Sequence, residues 1–155
     1  MHKYRNKKVL VTGAAGFIGI KLCQKLAELG AEVCALDLMF SEKQQGIKYL
    51  EGDVTSPDCL KEFHPMEIIF HLAGQPSIFY SQKDPLHDFK VNALGTVAVL
   101  EFARQNQAKL VFPSSISLYL ATRHSKPFKE HSINLQSFYA LSKATAENYI
   151  RHYQK

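Results

Sequence analysis

Three polar side chains in the C-terminal third of the chain have the types and the spacing needed for proton transfer. Tyr139 and Lys143 are four residues apart, so on a helix they lie on the same face, about one turn from each other. A free tyrosine has a pKa near ~10, but a neighbouring ammonium group favours the ionised phenolate. Tyr139 could then act as a general base on a hydroxyl group, while Ser115 hydrogen-bonds the same oxygen. We therefore predict Ser115, Tyr139 and Lys143 as a catalytic set.

A tyrosine and a lysine at this spacing occur on many helices by chance, so the prediction depends on the elements that would position them. The clearest is a short apolar strand, Val9–Thr12, followed by glycines at positions 13, 16 and 19. Gly13 would let the chain turn off the strand, Gly16 would let an anion approach the backbone, and Gly19 would let the next helix pack closely. The N–H groups at the start of that helix favour a pyrophosphate. The spacing is GxxGxxG rather than GxGxxG, so it needs support from its surroundings.

An acidic residue at the end of the second predicted strand gives that support. Asp37 follows the apolar segment 32–36 and lies 18 residues after Gly19, close to the ~20 expected for a carboxylate that holds adenosine ribose hydroxyls. The alternative is a surface aspartate at a strand end. An acid here repels a 2′-phosphate, so we expect NAD rather than NADP. Asp53, after the third strand, either reaches the adenine or caps the short helix that follows.

The order of apolar segments and helical patterns predicts an α/β fold with a doubly wound parallel sheet and strand order 3-2-1-4-5. In such a sheet the ligand crevice lies at the carboxyl ends of the strands. There we expect Ser115, just after the fifth strand, and Leu72–Gly74, at the end of the fourth, where small residues let the backbone pass close to a bound cofactor. His71 is interpreted as a packed structural residue. The predicted strands are 9–12, 32–36, 47–50, 67–72 and 110–113.

Three helices carry most of the predicted packing. The helix after the glycine turn has one apolar face, formed by Ile18, Leu22, Leu26 and Leu29. A long helix over 84–105 is apolar on two sides, so one side would face the sheet and the other requires a further helix, which a second subunit could supply. The last helix is predicted over 136–153, after a polar, irregular segment, 116–134. We expect a homodimer, if one forms, to use the helices 84–105 and 136–153.

Length and composition limit the remaining classes. At 155 residues the chain is expected to be one domain, and its net charge of +5 comes from scattered basic residues, so we expect no nucleic-acid partner. Three cysteines and seven histidines show no metal-ligand spacing, which predicts no metal and a reducing, cytoplasmic location. The basic start and apolar run over 7–20 mimic a signal peptide, but three glycines interrupt it. No apolar segment approaches the ~20 residues needed to span a membrane.

Seven stretches together resemble the extended short-chain dehydrogenase/reductase family, in its NAD-dependent sugar-nucleotide epimerase/dehydratase branch. They are TGAAGFIG (12–19), Asp37, GDVT (52–55), HLAG (71–74), VNALGT (91–96), SSISLY (114–119) and YALSK (139–143). The resemblance covers essentially the whole chain. It implies a Rossmann fold in which NAD lies across the glycine turn and Asn92 supports the nicotinamide end. Tyr139 would take a proton from a sugar hydroxyl while the carbon beneath loses hydride to NAD.

The cofactor-binding residues implied by the resemblance are Gly13, Gly16, Phe17, Ile18, Gly19, Asp37, Asp53, Val54, Leu72, Ala73, Gly74, Asn92 and Lys143. The expected substrate is a nucleotide-sugar, of the UDP-sugar class. Dehydratases of the family carry an Asp-Glu pair after the serine, and decarboxylases a Glu, whereas this chain has Ile116-Ser117. That difference favours an epimerase. Leu120 and Ala140 stand where the family usually has glycine, which is expected to narrow the substrate pocket.

The family pattern extends beyond the last residue, Lys155, into a region that holds the nucleotide-sugar. We therefore expect an N-terminal portion, 1–155, that carries the cofactor half and the catalytic residues but lacks the substrate domain. On this interpretation the isolated chain binds NAD and turns over UDP-sugars only slowly. The alternative is a non-catalytic NAD-binding module, a remnant or a subunit completed by another chain.

Overall fold

The sheet has the predicted topology. The computed structural model describes residues 3–63, 65–118 and 135–154. Five parallel strands lie in the order β3-β2-β1-β4-β5. The strands are β1 (Lys8–Thr12), β2 (Glu32–Asp37), β3 (Ile47–Glu51), β4 (Ile68–His71) and β5 (Lys109–Val111). The helices are α1 (Phe17–Glu28), α2 (Pro57–Leu60), α3 (Ile78–Lys83), α4 (Pro85–Phe89), α5 (Gly95–Asn106) and α6 (Phe138–Tyr153), with 3-10 turns at Lys61–Phe63 and Ile116–Leu118.

Helices cover both faces of the sheet, as a doubly wound fold requires. Because side chains alternate along a strand, Val9 and Val11 of β1 point to one face and Leu10 to the other. The first face packs on α1 through Cys23 and Leu26. The second face packs on the segment 54–66 and on α5. Both layers are mainly apolar at the sheet, and Thr12 and His71 are buried polar residues at the ends of β1 and β4.

The first helix forms where predicted, but its buried face differs. Gly19, Cys23 and Leu26 are its buried residues, whereas Ile18 is 61% exposed. The prediction that Ile18 is buried was therefore wrong, because Gly19 and not its neighbour turns toward the sheet. The end of the helix follows the expected glycine stop. Gly30 has φ +81° and its N–H donates to Ala27 O at 2.9 Å, as in a Schellman ending.

The predicted long helix over 84–105 is interrupted. Between α4 and α5 the segment Lys90–Leu94 is one π-helical turn, and the wider turn shifts the later residues around the axis. Phe89 and Leu94, which belong to the two apolar sides of the predicted helix, are about half exposed. The sequence patterns also missed α3 completely. Strands β4 and β5 are shorter than predicted, and α6 begins two residues later, at Phe138.

The second side of this interrupted helix is covered within the chain. Helix α6 packs against α4, the π turn and α5, so no second subunit is required for that contact. The same helix also packs on the turn Ile116–Leu118. Helix α6 therefore connects the end of β5 to the π turn.

Candidate functional site

The glycine turn is shaped by two close backbone approaches. Gly13 has φ +68°, and a Cβ there would lie 2.5 Å from the main-chain N of Ala73, at the exit of β4. A Cβ on Gly19 would lie 2.1 Å from Gly13 O. Gly16 differs, since a Cβ would meet only Gly13 O, at 3.2 Å. Two glycines are thus required by packing, while Gly16 keeps an exposed stretch of backbone free of side chain.

The start of α1 beside this turn is open. Its N-cap, Gly16, has no side chain to bind the first N–H groups. Phe17 is 94% exposed and Ile18 is 61% exposed. An exposed apolar pair next to free helix N–H groups suits a ligand with an anionic centre and apolar rings.

Asp37 lies against the turn, at the end of β2, where the sequence predicted the strand to end. Its Oδ2 accepts a hydrogen bond from the Ala15 N–H at 2.8 Å, and its Oδ1 accepts one from the Leu38 N–H at 2.7 Å. The carboxylate therefore ties the end of β2 to the glycine turn. Each carboxylate oxygen has capacity for a further donor, so this structural tie leaves room for a hydroxyl ligand.

The segment after β3 has two different side-chain environments. Asp53 is exposed, and its Oδ1 accepts from the Thr55 N–H at 2.8 Å. It is not the cap of the short helix, because Ser56 occupies the N-cap position of α2. Val54 is 6% exposed and belongs to the core. The side chain of Asp53 is thus accessible to a ligand at the carboxyl ends of the strands. Val54 could contact such a ligand only through its main chain.

His71 has the structural role expected of it. It is 1% exposed, and its ring lies between Thr12 Oγ1, 2.7 Å from Nδ1, and Thr96 Oγ1, 3.1 Å from Nε2. Thr96 donates to Asn92 O at 2.7 Å, so it must accept from Nε2–H, which fixes the tautomer. Burial lowers the pKa of His71 to about 3, with a smaller contribution from the nearby Lys143. A neutral imidazole on β4 is therefore hydrogen-bonded to β1 and to the start of α5.

Asn92 holds the loop that follows β4. Its Oδ1 accepts from the Gln75 N–H at 2.9 Å, and its Nδ2 donates to Gln75 O at 3.0 Å. The amide thereby pairs with residue 75 as a neighbouring strand would. A Cβ on Gly74 would lie 2.9 Å from Asn92 Oδ1, so the glycine is needed for this approach. Asn92 is 2% exposed, and its two hydrogen bonds hold the main chain at Gln75, directly after Gly74.

Lys143 is buried near the carboxyl end of β5. It is 8% exposed, its Nζ donates to Pro113 O at 2.8 Å, and the ammonium lies 3.9 Å from the centroid of the Phe112 ring. Burial lowers the pKa of Lys143 to about 8, and the negative charges of Glu147 and Asp88 partly oppose that shift. The lysine is a cation whose charge titrates close to neutral pH.

Ser115 and Tyr139 lie on segments that pack on each other. The Ser115 and Ser117 hydroxyl oxygens are 2.8 Å apart, in the turn against which α6 packs. The neighbouring Ser114 donates to Glu147 on α6. Helix α6 starts at the N-cap Ser137, whose Oγ accepts from the Ala140 N–H at 3.0 Å. The helix that carries Tyr139 and Lys143 is thus fixed against the segment that carries Ser115.

Three residues of this network were missed by the sequence analysis. They are Gln75, Asp88 and Ser142. Asp88 and Ser142 are both buried, and each bonds the Asn92 amide. A signal was present for one of them, because Asp88 and Asn92 are four residues apart on a largely apolar helix. Gln75 and Ser142 carry no such signal, since only the fold brings them to Asn92.

Part of the predicted site region lies outside the described residues. Tyr119 and Leu120 are not described, and neither is most of the segment 116–134. Ala140 is buried. Within the described ranges no group of three or more His, Cys, Asp or Glu could hold a metal. None of the helices described here is long and apolar enough to cross a membrane.

The arrangement matches a known protein family over nearly its whole length. The family model described as the NAD dependent epimerase/dehydratase family matches residues 9–155. The chain belongs to this family. The matched region contains all the predicted site residues, from the glycine turn and Asp37 to Ser115, Tyr139 and Lys143.

Individual epimerases are similar in sequence and structure. A UDP-glucose 4-epimerase from Mycolicibacterium smegmatis is 37% identical over 161 residues, which cover 95% of this chain and 51% of the relative. A Thermus thermophilus UDP-glucose 4-epimerase solved with NAD has a TM-score of 0.86 at 35% identity, with 94% of this chain and 50% of that chain covered. An epimerase structure from Methanothermobacter thermautotrophicus has a TM-score of 0.90 at 31% identity, covering 99% and 49%. The chain thus spans about half the length of these epimerase/dehydratase family members.

Proposed function

We propose that this chain binds NAD across the carboxyl ends of its strands and serves a nucleotide-sugar epimerase. One observation carries the proposal: the parallel sheet brings the open glycine turn, Asp37 and the buried cation Lys143 to the same edge. The similarity to an epimerase solved with NAD supports the cofactor. The similarity to UDP-glucose 4-epimerases, among them one from Thermotoga maritima solved with UDP-glucose, supports a UDP-sugar as the substrate.

The residues of the glycine turn fit a dinucleotide. The backbone at Gly16 is exposed and carries no side chain, so a pyrophosphate can reach the N–H groups at the start of α1. Asp37 would accept from the adenosine ribose, and the carboxylate disfavours a 2′-phosphate there. Lys143 and the loop fixed by Asn92 would hold the nicotinamide half. NAD, when bound, accepts a hydride from the sugar and returns it.

The chain's own groups would move the proton. Tyr139 takes it from a sugar hydroxyl as that carbon is oxidised, and gives it back on re-reduction. The Lys143 ammonium, one helical turn away, would attract the negative charge that develops on the Tyr139 oxygen during this proton transfer. Ser115 hydrogen-bonds the same sugar oxygen. Rotation of the keto-sugar between the two steps inverts the carbon, and overall no oxidant is consumed.

The segment after Ser115 favours epimerisation over water elimination. Ile116 is exposed, while Ser117 is buried and hydrogen-bonded to Ser115. No carboxyl group therefore stands at these two positions to protonate a leaving hydroxide. Simple oxidation and re-reduction needs no such acid.

We also propose a homodimer through the outer surfaces of α4–α5 and α6. These surfaces keep apolar side chains in contact with solvent. The exposed ones are Leu86, Phe89, Leu94, Leu141 and Tyr149. Burial of such side chains between two copies would be favourable.

Conversion of UDP-glucose to UDP-galactose in the presence of NAD, followed by NMR, tests the function. Slow conversion is expected, and Tyr139→Phe should abolish it while leaving NAD binding intact. The matched control is Tyr149→Phe, because Tyr149 is an exposed tyrosine on the same helix. NAD binding with no conversion would instead favour an NAD-binding module that does not catalyse. Conversion that survives Tyr139→Phe would contradict the proposed role of the tyrosine.

A further inference from the structure

One buried hydroxyl beside the proposed catalytic serine has no role in the function proposed so far. Ser117 is 7% exposed and lies in the 3-10 turn Ile116–Leu118. We propose that Ser117 is a positioning residue, which donates its hydroxyl proton to Ser115 Oγ and so leaves the proton of Ser115 free for the substrate. The proposal rests on the proposed function, in which Ser115 hydrogen-bonds the sugar oxygen.

Ser117 contacts Ser115 Oγ through two of its groups. The hydroxyl oxygens of the two serines are 2.8 Å apart, and the distance alone allows either to be the donor. The main-chain N–H of Ser117 also donates to Ser115 Oγ, at 3.3 Å. A serine hydroxyl has one proton and two acceptor lone pairs. Because the N–H already occupies one lone pair of Ser115, the direction of the bond between the hydroxyls decides where the proton of Ser115 points.

The proposed chemistry requires Ser115 to be a donor. The sugar hydroxyl gives its only proton to Tyr139, and once the carbon is oxidised the oxygen is a carbonyl that can only accept. If Ser115 donated to Ser117, its single proton would be used there, and no hydrogen bond to the carbonyl oxygen could form. Donation from Ser117 instead fills the second lone pair of Ser115 and directs the Ser115 proton away from residue 117.

The surroundings of Ser117 give its hydroxyl no other task. A buried hydroxyl is unfavourable unless it is hydrogen-bonded, and within the described ranges Ser115 is the one partner of the Ser117 hydroxyl. The turn directs this side chain inward, since the neighbouring Leu118 is fully buried while Ile116 is 65% exposed. Ser117 therefore acts through Ser115 rather than on a ligand.

Neutron diffraction from crystals of the deuterated, ligand-free chain tests the direction of the bond. The hydroxyl deuterium of Ser117 should lie between the two hydroxyl oxygens, and that of Ser115 should point away from Ser117. A Ser115 deuterium directed at Ser117 Oγ would overturn the proposal. The measurement needs neither cofactor nor turnover.

The kinetics of Ser117→Ala test the consequence for the reaction. Without its donor Ser115 can turn its proton elsewhere, so kcat for UDP-glucose conversion should fall about five- to tenfold. KM should stay nearly unchanged, because the bond from Ser115 strengthens as charge develops on the sugar oxygen. The matched control is Ser81→Ala, which removes another buried serine hydroxyl, one that donates to Ile78 O in its own helix. Ser81→Ala should keep both kcat and KM.

The two measurements separate this proposal from the proposed function. An unchanged kcat in Ser117→Ala, or an equal loss of kcat in Ser81→Ala, would contradict the positioning role. If Ser117→Ala does not fold, the neutron structure of the unsubstituted chain still decides. A chain that shows the expected deuterium positions but converts no UDP-sugar would establish the direction of the bond and contradict the proposed catalysis alone.

Discussion

At the residue scale, two side chains of opposite charge lie at the carboxyl ends of the strands. Asp37 ends β2, and Lys143 bonds the chain just after β5. Asp37 is partly exposed and tied to the glycine turn by the Ala15 N–H, so its charge faces the place proposed for the adenosine. Lys143 is buried, and its pKa falls to about 8 because burial disfavours the charged form. A fully exposed lysine would be more basic but a weaker influence on a neighbouring phenol, because water screens it.

The charge of Asp37 should set cofactor choice. In Asp37→Ala we expect NAD binding to weaken about ten- to a hundredfold, the usual effect of losing a hydrogen bond to a charged group. The preference for NAD over NADP should shrink as well, since the repulsion of the 2′-phosphate is lost. Calorimetry with both cofactors measures this. Glu51→Gln, an exposed carboxylate at the end of the neighbouring β3, should change neither affinity, and an unaltered NAD affinity in Asp37→Ala would refute the assignment.

At the element scale, local patterns predicted some elements and missed others. The strand order and the glycine turn follow from apolar segments, glycine spacing and the rule that crossovers are right-handed. The π turn at Lys90–Leu94 and helix α3 were missed. No local pattern distinguishes one extra residue in a helical turn from a continuous helix. The π turn contains Asn92, whose amide bonds the main chain of Gln75, and a contact between residues 17 positions apart is invisible in sequence periodicity.

In the glycine turn, we expect one substitution to impair folding and another to impair mainly NAD binding. Gly19→Ala should destabilise the chain by roughly 3 kcal/mol, because the new Cβ would overlap the Gly13 carbonyl at 2.1 Å. Gly16→Ala should destabilise the chain much less than Gly19→Ala, since its new Cβ would lie 3.2 Å from Gly13 O rather than 2.1 Å and its φ of −73° suits any residue. It should nevertheless weaken NAD binding. Urea unfolding measures the stability of both variants, and calorimetry measures their affinity for NAD. Equal losses of stability would contradict the assignment of Gly19 to packing and Gly16 to binding.

At the scale of the whole molecule, stability should depend on the protonation of one buried histidine. Burial lowers the folded-state pKa of His71 to about 3, below its ordinary value of 6.5, so its contribution to stability is complete above pH 6.5. That contribution is lost as the pH falls from there toward 3, because the unfolded chain binds the proton first. The slope from this one group is at most about 1.4 kcal/mol per pH unit.

Denaturant unfolding at several pH values checks that dependence. His71→Asn should be less stable than the unsubstituted chain at neutral pH, because the bonds to Thr12 and Thr96 are weakened. Its free energy of unfolding should also fall less steeply below pH 6.5. The exposed His152→Asn serves as the control and should keep the steep dependence. An identical slope in His71→Asn would show that other groups cause the acid sensitivity.

The proposed homodimer is a second property of the whole molecule. Leu94→Glu and Leu141→Glu place charges on the exposed apolar surfaces of the interrupted helix and α6, and together they should convert a dimer to a monomer in light scattering. Ile20→Glu, on α1 at the other face of the sheet, should not. A chain that is monomeric before substitution would rule out the dimer.

The central claim is that the glycine turn and the set Ser115, Tyr139 and Lys143 serve the two ends of one NAD molecule. A crystal structure of the chain soaked with NAD tests it most directly. We predict the pyrophosphate at the Gly16 backbone, the adenosine ribose on Asp37, and the nicotinamide with Ser115 and Tyr139 converging on it. A dinucleotide bound elsewhere, or a nicotinamide ring out of hydrogen-bond reach of Lys143 with Ser115 and Tyr139 far apart, would contradict the account.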